Sequence, residues 1–315
     1  MKHVFIVNPA AGKTDSIRHI EQMAAALRER HGLDASCLLT AAPGHATQLS
    51  RALAEAGGAL RIYACGGDGT ANEVANGIAG CANAAMTVVP IGTGNDLLKN
   101  FGAAAEQFRD AENLWNGEEH TLDLIDCNGR QCLTIACSGL DARVARDVHR
   151  YSALPLLGGK ASYVAALAAN FLFRSISSRW TLSLDGVELP ERDFAVVAVC
   201  NGRYYGGGFL PVAEASMTDG VLNTLIVRKV SRVGFLRFVG DYSRGGYAKF
   251  PQFASCVTAS VIRIRSERAD VVTCLDGECF TGDDVTLRLS DRKLRFFAPA
   301  GASPDATLRP IEEKT

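Results

Sequence analysis

The chain has 315 residues, enough for two domains with a substantial buried core. Charged residues make up 21% of the chain and its formal net charge is −1, so the strongly basic balance of a nucleic-acid-binding protein is absent. The 10 cysteines include no CxxC pair, which favours buried thiols in a reducing cytoplasm over zinc sites or disulfides.

No targeting or membrane-spanning segment is predicted. The first residues turn polar at Asn8, unlike a signal peptide, and the longest apolar helical run, 163–173, is too short to cross a bilayer. We therefore expect a soluble, cytoplasmic protein that at most contacts the inner face of a membrane peripherally, with no nucleic-acid partner.

The first third of the chain alternates short apolar strands with polar-faced helices. Strands are predicted over 3–7, 35–39, 60–65 and 86–91, and helices over 15–30, 45–56, 70–78, 95–101 and 105–115. This alternation is typical of a parallel sheet, in which ligands bind at the carboxyl ends of the strands.

After about residue 123 the pattern changes to a series of strands joined by Gly-, Asn- or Asp-containing turns. Strands are predicted over 122–127, 131–137, 180–184, 194–200, 221–227, 261–265, 271–274, 285–289 and 294–297. The dipeptides Asn128-Gly129 and Asp185-Gly186 are typical of hairpins. Helical insertions are predicted over 160–174 and 231–242. The pattern predicts an α/β domain over 1–123 and an antiparallel β-sandwich domain over 124–296.

A glycine-rich turn, 66–70 (GGDGT), joins the buried strand 60–65 to a helix. We expect its glycines to adopt positive φ and to approach a ligand closely. The N–H groups at the start of the helix favour an anion such as phosphate. Since Asp68 would repel phosphate on its own, it indicates a metal-assisted phosphate site. An ordinary strand-to-helix turn is the alternative interpretation.

Two further loops follow strands of the same domain. The loop 8–13 (NPAAGK) falls short of a Walker A motif, because Val7 occupies the earlier glycine position. The loop 90–96 (PIGTGND) lacks the last glycine of a dinucleotide fingerprint, since position 97 is Leu, which disfavours a Rossmann dehydrogenase. Thr93 can donate its hydroxyl to a phosphate. For Asp96, a simple cap of the next helix is the alternative to a role in the ligand site.

These three loops, with 71–73 (ANE) and the later 275–278 (LDGE), resemble the diacylglycerol-kinase-like lipid kinases in sequence and order. The chain looks most like the soluble bacterial diacylglycerol kinases and, more distantly, the sphingosine and ceramide kinases. The resemblance covers nearly the whole chain, including 206–208 (GGG) and 219–222 (DGVL). It implies an α/β nucleotide-binding domain and a β-sandwich domain, as in NAD kinase and diacylglycerol kinase, with the active site in a cleft between them. It also implies that a C-terminal segment, here 297–315, returns to the first domain.

The resemblance further implies ATP as co-substrate and a set of residues that hold it. These are Asn8, Pro9, Ala10, Ala11, Gly12, Thr40, Gly66, Gly67, Asp68, Gly69, Thr70, Ala71, Asn72, Glu73 and Thr93. Glu278 matches the catalytic base, which accepts the proton of the lipid hydroxyl as its oxygen attacks the γ-phosphate. The alternative is that Asp276-Gly277 makes a hairpin turn and Glu278 only faces solvent.

Asp219 matches an aspartate that, in related bacterial enzymes, binds a structural Mg²⁺. The resemblance puts main-chain oxygen ligands at Ser216 and Val221, and hard oxygen ligands of this kind suit Mg²⁺. It also suggests a water-mediated link to Asp68, Asp96 and Asp123. A plain turn at Asp219-Gly220 is the alternative. Ala213 departs from the family, which often has proline there, so the local loop shape stays open.

The implied activity is transfer of phosphate from ATP to a membrane lipid, with diacylglycerol as the first choice. Phosphatidylglycerol, ceramide or a sphingoid base are other acceptors, and an NAD-kinase-like activity or a nucleotide-binding regulatory protein without catalysis are the alternatives. The segment 231–242 mixes apolar residues with arginines, which fits a basic interfacial helix but more often a core-facing one. A homodimer is left open.

Overall fold

The computed structural model describes residues 1–12, 14–92, 94–152, 169–171 and 173–306. The chain forms two compact units: Met1–Leu124, Ser216–Asp219 and Asp291–Thr315 make the first, and Ile125–Ala215 and Gly220–Ser290 make the second. The sequence gives no sign that Ser216–Asp219 belongs to the first unit. The helix predicted over 160–174 lies largely outside the described residues. Within the described ranges, no helix has both the length and the apolar character needed to cross a bilayer.

The first 124 residues alternate strands and helices, as predicted. The strands are β1 (Lys2–Val7), β2 (Asp34–Leu39), β3 (Leu60–Gly66), β4 (Ala84–Pro90) and β5 (Glu118–Leu122). The helices are α1 (Thr14–His31), α2 (His45–Glu55), α3 (Asp68–Ile78) and the single turn α4 (Asp96–Lys99). The helix-like segment predicted over 105–115 consists of two 3₁₀ helices, Gly102–Arg109 and Ala111–Asn113. Asp110 separates them with an extended backbone (φ −122°), and its side chain accepts a hydrogen bond from the Glu112 N–H.

The second unit consists mainly of antiparallel strands. In chain order they are β6 (Ile125–Cys127), β7 (Arg130–Cys132), β8 (Ile135–Gly139), β9 (Ser178–Arg179), β10 (Thr181–Leu184), β11 (Val187–Glu188), β12 (Asp193–Cys200), β13 (Asn223–Arg228), β14 (Ala254–Thr258), β15 (Val261–Arg265), β16 (Val271–Leu275), β17 (Glu278–Gly282) and β18 (Asp284–Leu289). The helices α5 (Leu140–Ser152) and α6 (Arg232–Tyr242) and the 3₁₀ turn Gly246–Lys249 interrupt the series, and β19 (Leu294–Ala298) follows it.

Two sheets of the second unit pack face to face. Their strand orders are β11-β10-β15-β18-β6-β7 and β14-β13-β12-β8-β16-β17, with β9 paired to β12. Apolar side chains from both sheets, such as Ile262 and Leu287 from one and Val197 and Ile226 from the other, form a common buried core. A second buried cluster contains residues of β8, β12, α5 and α6, so these helices pack on the other face of the larger sheet. The predicted fold class, an α/β domain followed by an antiparallel sandwich, is confirmed.

The sheet of the first unit has the order β2-β1-β3-β4-β19-β5. Strand β19, the last of this sheet in the sequence, is parallel to β4, with Phe296 opposite Met86, and antiparallel to β5. The placement of strand 294–297 in the antiparallel series is therefore wrong. A short apolar run shows that a strand exists but carries no signal of which sheet it joins.

Two other predicted strands are each divided in the structure. The strand predicted over 122–127 is broken because Asp123 donates its backbone N–H to the Met217 carbonyl oxygen (2.7 Å) instead of to a neighbouring strand. The strand predicted over 131–137 becomes β7 and β8, which belong to different sheets. In both cases the local sequence predicts one strand, and a distant partner interrupts it.

Three hairpins of the second unit have two-residue turns in which both residues have positive φ. They are Asn128-Gly129, Asp185-Gly186 and Asp276-Gly277, with φ values of 49° and 89°, 49° and 84°, and 46° and 99°. Positive φ at both central positions is the type I′ geometry that suits the twist of hairpin strands. The hairpins predicted at residues 128 and 185 are confirmed, and they join β6 to β7 and β10 to β11.

The side chain of Asp276 anchors the third of these hairpins, which joins β16 to β17. Its carboxylate accepts hydrogen bonds from the backbone N–H groups of Leu133 (2.6 Å) and Thr134 (2.9 Å) and from the Thr134 hydroxyl (2.5 Å). Asp185 acts in the same way in its own turn, accepting from Ser260 and Val261 (2.9 and 2.8 Å). Asp276 therefore holds its hairpin to the connection before β8, and Asp185 holds its hairpin to the start of β15.

We predict that Asp276→Ala lowers the free energy of unfolding by about 3 kcal/mol, because it removes charge-assisted hydrogen bonds and leaves their donors without an acceptor. Asp276→Asn, which keeps one acceptor oxygen and tolerates positive φ, should lose less. Urea denaturation measures both changes, with Asp185→Ala as the matched variant at the other hairpin. An unchanged denaturation midpoint for Asp276→Ala would show that the anchor contributes nothing.

Candidate functional site

The loops that follow β1, β2, β3 and β4 lie at one edge of the first sheet. Val7 pairs with Leu39 on one side and with Cys65 on the other, in parallel register. The backbone contacts continue beyond the strands, since the Asn8 N–H donates to the Cys65 oxygen and the Thr40 N–H to the Val7 oxygen. This carboxyl edge is where a parallel sheet binds its ligands.

The glycines of the turn 66–70 serve close contact with the neighbouring loop. The Gly66 carbonyl oxygen accepts from the Gly92 N–H at 3.1 Å. A Cβ atom on Gly92 would lie 2.8 Å from the Gly67 Cα, and a Cβ on Gly66 would lie 2.2 Å from the Thr70 Oγ1. The expectation of positive φ is wrong, because none of the three glycines of the turn is in the left-handed region. Backbone packing against Gly67 therefore explains Gly92, and the closeness of the Thr70 side chain explains Gly66.

The loop 8–12 is held to the start of α3. The Asn8 side chain donates from Nδ2 to the Thr70 hydroxyl (3.2 Å) and accepts through Oδ1 from the Ala10 N–H (3.0 Å). The Asn8 carbonyl oxygen accepts from the Ala11 N–H (3.1 Å). Gly12 packs so closely on α1 that a Cβ there would lie 2.7 Å from the Ser16 Oγ. The structure therefore brings together predicted binding residues of the loop after β1 and of the turn after β3.

Glu73 has a contact that the sequence did not reveal. Its two carboxylate oxygens accept hydrogen bonds from the backbone N–H groups of Gly44 (2.8 Å) and Ala46 (3.0 Å), at the start of α2. Gly44, the residue before α2, supplies no side-chain cap of its own. Glu73 thus caps α2 from another helix, where a negative charge is favourable. Its predicted contact with ATP stays a prediction.

Asp68 lies against the loop that follows β4. Its Oδ1 accepts from the Leu97 N–H (3.3 Å) at the start of α4, and a Cβ on Gly94 would lie 2.6 Å from its Oδ2. Asn95, in the left-handed conformation (φ 55°), donates from its side chain to the Gly92 oxygen (2.9 Å). Thr93, a predicted phosphate contact in the same loop, lies outside the described residues. Asp68 therefore joins two of the three glycine loops.

The other two carboxylates of the predicted acidic network are buried and paired with lysines. Asp96 is 6% exposed and its Oδ1 lies 2.5 Å from the Lys99 ammonium. Asp123 is 3% exposed and forms an ion pair with Lys293. Buried carboxylates require such partners. The lysines were not among the sequence-predicted residues, and a water-mediated link from these aspartates to a metal stays a prediction.

The segment Ser216–Asp219 is fixed by the C-terminal part of the first unit. The Asp305 carboxylate accepts from the Met217 N–H (3.2 Å) and from the Thr218 hydroxyl. The Thr218 N–H also donates to the Ser216 Oγ (3.2 Å). Asp219 is exposed, and the following Gly220 has φ 74°. Nothing in the sequence pattern indicated Asp305, because it is near this segment only in the folded chain.

The predicted donors of this segment suit Mg²⁺ in chemical type. They are the exposed carboxylate of Asp219 and the main-chain oxygens of Ser216 and Val221, all hard oxygen ligands. No group of three or more His, Cys, Asp or Glu residues in the described parts of the chain is arranged to hold a metal. A cation here would accordingly depend on one carboxylate, main-chain oxygens and water, which is the kind of site Mg²⁺ accepts.

Glu278 is the first residue of β17 and pairs with Leu275 across the hairpin. Its side chain is exposed, whereas Asp276 in the same motif is engaged with the connection before β8. The turn-like position predicted for this motif is confirmed. An exposed carboxylate on an anchored hairpin is accessible to an incoming hydroxyl, as a general base must be. Its catalytic role stays a prediction.

We predict that Gly92→Ala destabilises the protein by about 1–3 kcal/mol, because the new methyl group meets backbone atoms that cannot rotate away. Gly282→Ala is the matched control, since a Cβ at Gly282 has no atom within 4 Å. The control should change the free energy of unfolding by less than about 0.5 kcal/mol. Equal denaturation midpoints for the two variants would contradict the packing of the two loops.

Comparisons with known proteins bear on the family and the fold of the chain. A family model for the diacylglycerol kinase catalytic domain matches residues 2–127, and a model for the YegS C-terminal NAD kinase beta sandwich-like domain matches residues 134–298. The solved structure of a diacylglycerol kinase from Bacillus anthracis superimposes with a TM-score of 0.67 at 20% identity, covering 94% of this chain and 96% of that one. That structural likeness shows the fold.

Curated relatives are similar over most of their length. A Pseudomonas aeruginosa protein named "Probable lipid kinase YegS-like" is 29% identical over 301 residues, covering 92% of this chain and 93% of its own. A Bacillus subtilis diacylglycerol kinase is 28% identical over 246 residues, covering 76% of this chain and 78% of its own. The resemblance drawn from the loop motifs is confirmed, and the chain belongs to the diacylglycerol-kinase-like family of lipid kinases.

Proposed function

We propose that this protein transfers the γ-phosphate of ATP to the hydroxyl group of diacylglycerol, giving phosphatidic acid and ADP. The observation that carries the proposal is the fixed contact of the turn 66–70 with the loops after β1 and β4, at the carboxyl edge of the first sheet. Relatives named diacylglycerol kinase support this lipid as the acceptor.

Binding of the nucleotide follows from the backbone at this edge. Phosphoryl transfer requires positioning and neutralisation of charge more than covalent chemistry. The N–H groups at the start of α3 and the positive end of its dipole attract the phosphates. The contact of Asn8 with Thr70 and the cap that Glu73 provides for α2 keep the surrounding loops in place. A structural Mg²⁺ would be held by Asp219 and the main-chain oxygens of Ser216 and Val221, with water linking it to Asp68.

The acceptor hydroxyl needs a base. We assign that role to Glu278, which takes the hydroxyl proton as the lipid oxygen forms its bond to the γ-phosphorus and the bond to the ADP oxygen breaks. Asp276 positions the hairpin but its oxygens are engaged by Leu133 and Thr134, so it is the less suitable carboxylate.

Two alternatives are compared with this proposal. The first is an NAD-kinase-like activity on a soluble acceptor; the description of the second unit's family model as NAD kinase beta sandwich-like states a likeness of fold. A nucleotide-binding regulatory protein would be free to lose the base, so the presence of Glu278 in the turn motif disfavours it. Phosphatidylglycerol, ceramide and sphingoid bases are the other lipid acceptors to be compared.

One assay separates these functions. Purified protein is incubated with γ-labelled ATP, Mg²⁺ and each lipid in mixed micelles, with NAD in a parallel reaction. Labelled phosphatidic acid is the expected product, and removal of Mg²⁺ by a chelator should abolish it. Label on NAD alone would replace the proposal with an NAD kinase activity. Binding of ATP with no transfer to any acceptor would indicate the regulatory protein.

We predict that Glu278→Gln lowers kcat by about 10²–10⁴-fold, the contribution of a positioned general base, while ATP affinity stays within about twofold. The substitution keeps the shape of an exposed side chain, so the free energy of unfolding should not change. Glu267→Gln, at another exposed glutamate of the second unit, is the control and should retain full turnover. Turnover of Glu278→Gln close to that of the control would refute the assignment.

A further inference from the structure

Helix α6 has one face in the protein core and another in solvent. Phe235, Phe238 and Tyr242, spaced three and four residues apart, are 2%, 0% and 1% exposed and pack in the second unit. Val233 and Leu236, on the opposite side, are 61% and 59% exposed. The helix is thus core-facing on one side, as expected, but it also presents an apolar strip outward.

Phe173 adds to this strip. It is 84% exposed, more than any other large apolar side chain of the described residues. The Arg232 guanidinium, at the start of α6, donates to the carbonyl oxygens of Phe171 (2.9 Å) and Arg174 (3.1 Å), on either side of Phe173. These bonds place the segment of Phe173 beside the Arg232 guanidinium, at the start of α6. We name Phe173, Arg232, Val233, Leu236 and Arg237 the α6 surface.

The charge around the α6 surface is positive. Arg237 is exposed on the outward side of the helix, and the Arg244 guanidinium lies near Gly240, one turn further along, where a Cβ would lie 4.0 Å from it. Among the described residues, Arg232, Arg237 and Arg244 form no ion pair. Asp241, the only acidic residue of α6, is paired with Lys249 at 2.7 Å. Apolar side chains next to exposed arginines are typical of a helix that lies at an anionic bilayer surface.

The α6 surface is anchored to the rest of the second unit. Asp147 of α5, 5% exposed, accepts from Asn170 (2.8 Å) and pairs with Arg174 (2.9 Å). Helix α5 in turn contacts β8, β16 and β17, the last of which begins at Glu278. Docking through the α6 surface would therefore hold the strand of the assigned base at the membrane.

We propose that the α6 surface docks on a bilayer containing anionic lipids, an inference that rests on the proposed action on a membrane lipid. Three exposed apolar side chains are few for a stable dimer, which buries roughly 800 Å² on each partner. They suit reversible attachment, in which apolar insertion and attraction between arginines and anionic headgroups act together. The protein and its lipid substrate then meet at the same membrane.

Sedimentation with vesicles tests the surface. The protein should bind vesicles of equal parts phosphatidylglycerol and phosphatidylcholine, bind more weakly as salt is raised, and bind poorly to phosphatidylcholine alone. Leu236→Ser, Phe173→Ser and Arg237→Glu should each weaken binding about tenfold. Val187→Ser and Arg268→Glu alter an exposed apolar residue and an exposed arginine elsewhere in the second unit and should bind as the wild type does. Equal loss in variants and controls would overturn the proposal.

A spectroscopic measurement follows the insertion directly. In Leu236→Trp, the added tryptophan emission should shift to shorter wavelength with the anionic vesicles and be quenched by brominated acyl chains. Absence of both changes while the protein binds the vesicles would place the contact on another surface. Dissociation of a wild-type dimer by Leu236→Ser in sedimentation velocity would identify the α6 surface as a self-association interface instead, overturning the proposal.

Turnover separates this inference from the proposed function. The α6-surface variants should phosphorylate diacylglycerol in detergent micelles at the wild-type rate but lose activity on vesicles. If the wild type is fully active in micelles but does not bind vesicles, the docking proposal is overturned and the kinase proposal is not. Vesicle binding that depends on Leu236 without phosphate transfer to any lipid would support the surface and overturn the kinase proposal.

Discussion

Two glycine loops at the carboxyl edge of the first sheet touch through backbone atoms, and the arrangement of the site depends on that contact. Gly66 accepts from the amide of Gly92, and a Cβ atom on Gly92 would lie 2.8 Å from the Gly67 Cα. Such an approach brings the peptide groups at the start of α3 close to the neighbouring loop. Phosphate recognition by backbone amides requires this kind of surface.

Carboxylates from distant elements hold the loops around this contact. Asp68 reaches the start of α4, Glu73 caps α2, and Asp305 holds the segment that precedes Asp219. In the second unit, Asp276 performs the same task for the hairpin of Glu278. In each case a charged acceptor satisfies backbone N–H groups that a loop or helix end leaves without partners. Acidic residues that look catalytic in a motif can thus serve to position the motif.

The order of strands shows a similar dependence on distant partners. β19 enters the first sheet between β4 and β5, although about 200 residues separate it from β4 and about 170 from β5 in sequence. The carboxylate of Asp123, just after β5, pairs with Lys293, just before β19. This ion pair of the buried Asp123 with the exposed Lys293, together with strand β19, connects this part of the chain to the first unit.

The sequence by itself determined the alternating strands and helices of the first unit, the antiparallel strands of the second, two of the type I′ hairpins and the family. These features depend on local patterns: apolar period, turn dipeptides such as Asn128-Gly129, and glycine loops at the ends of strands. Only the tertiary structure decided that β19 belongs to the first sheet, that Glu73 caps α2, and that α6 is apolar on both sides. The physical reason is that hydrogen bonds and ion pairs join residues far apart in the chain, and the exposure of a side chain depends on what packs against it. A linear pattern shows which groups need partners but not which partners they find.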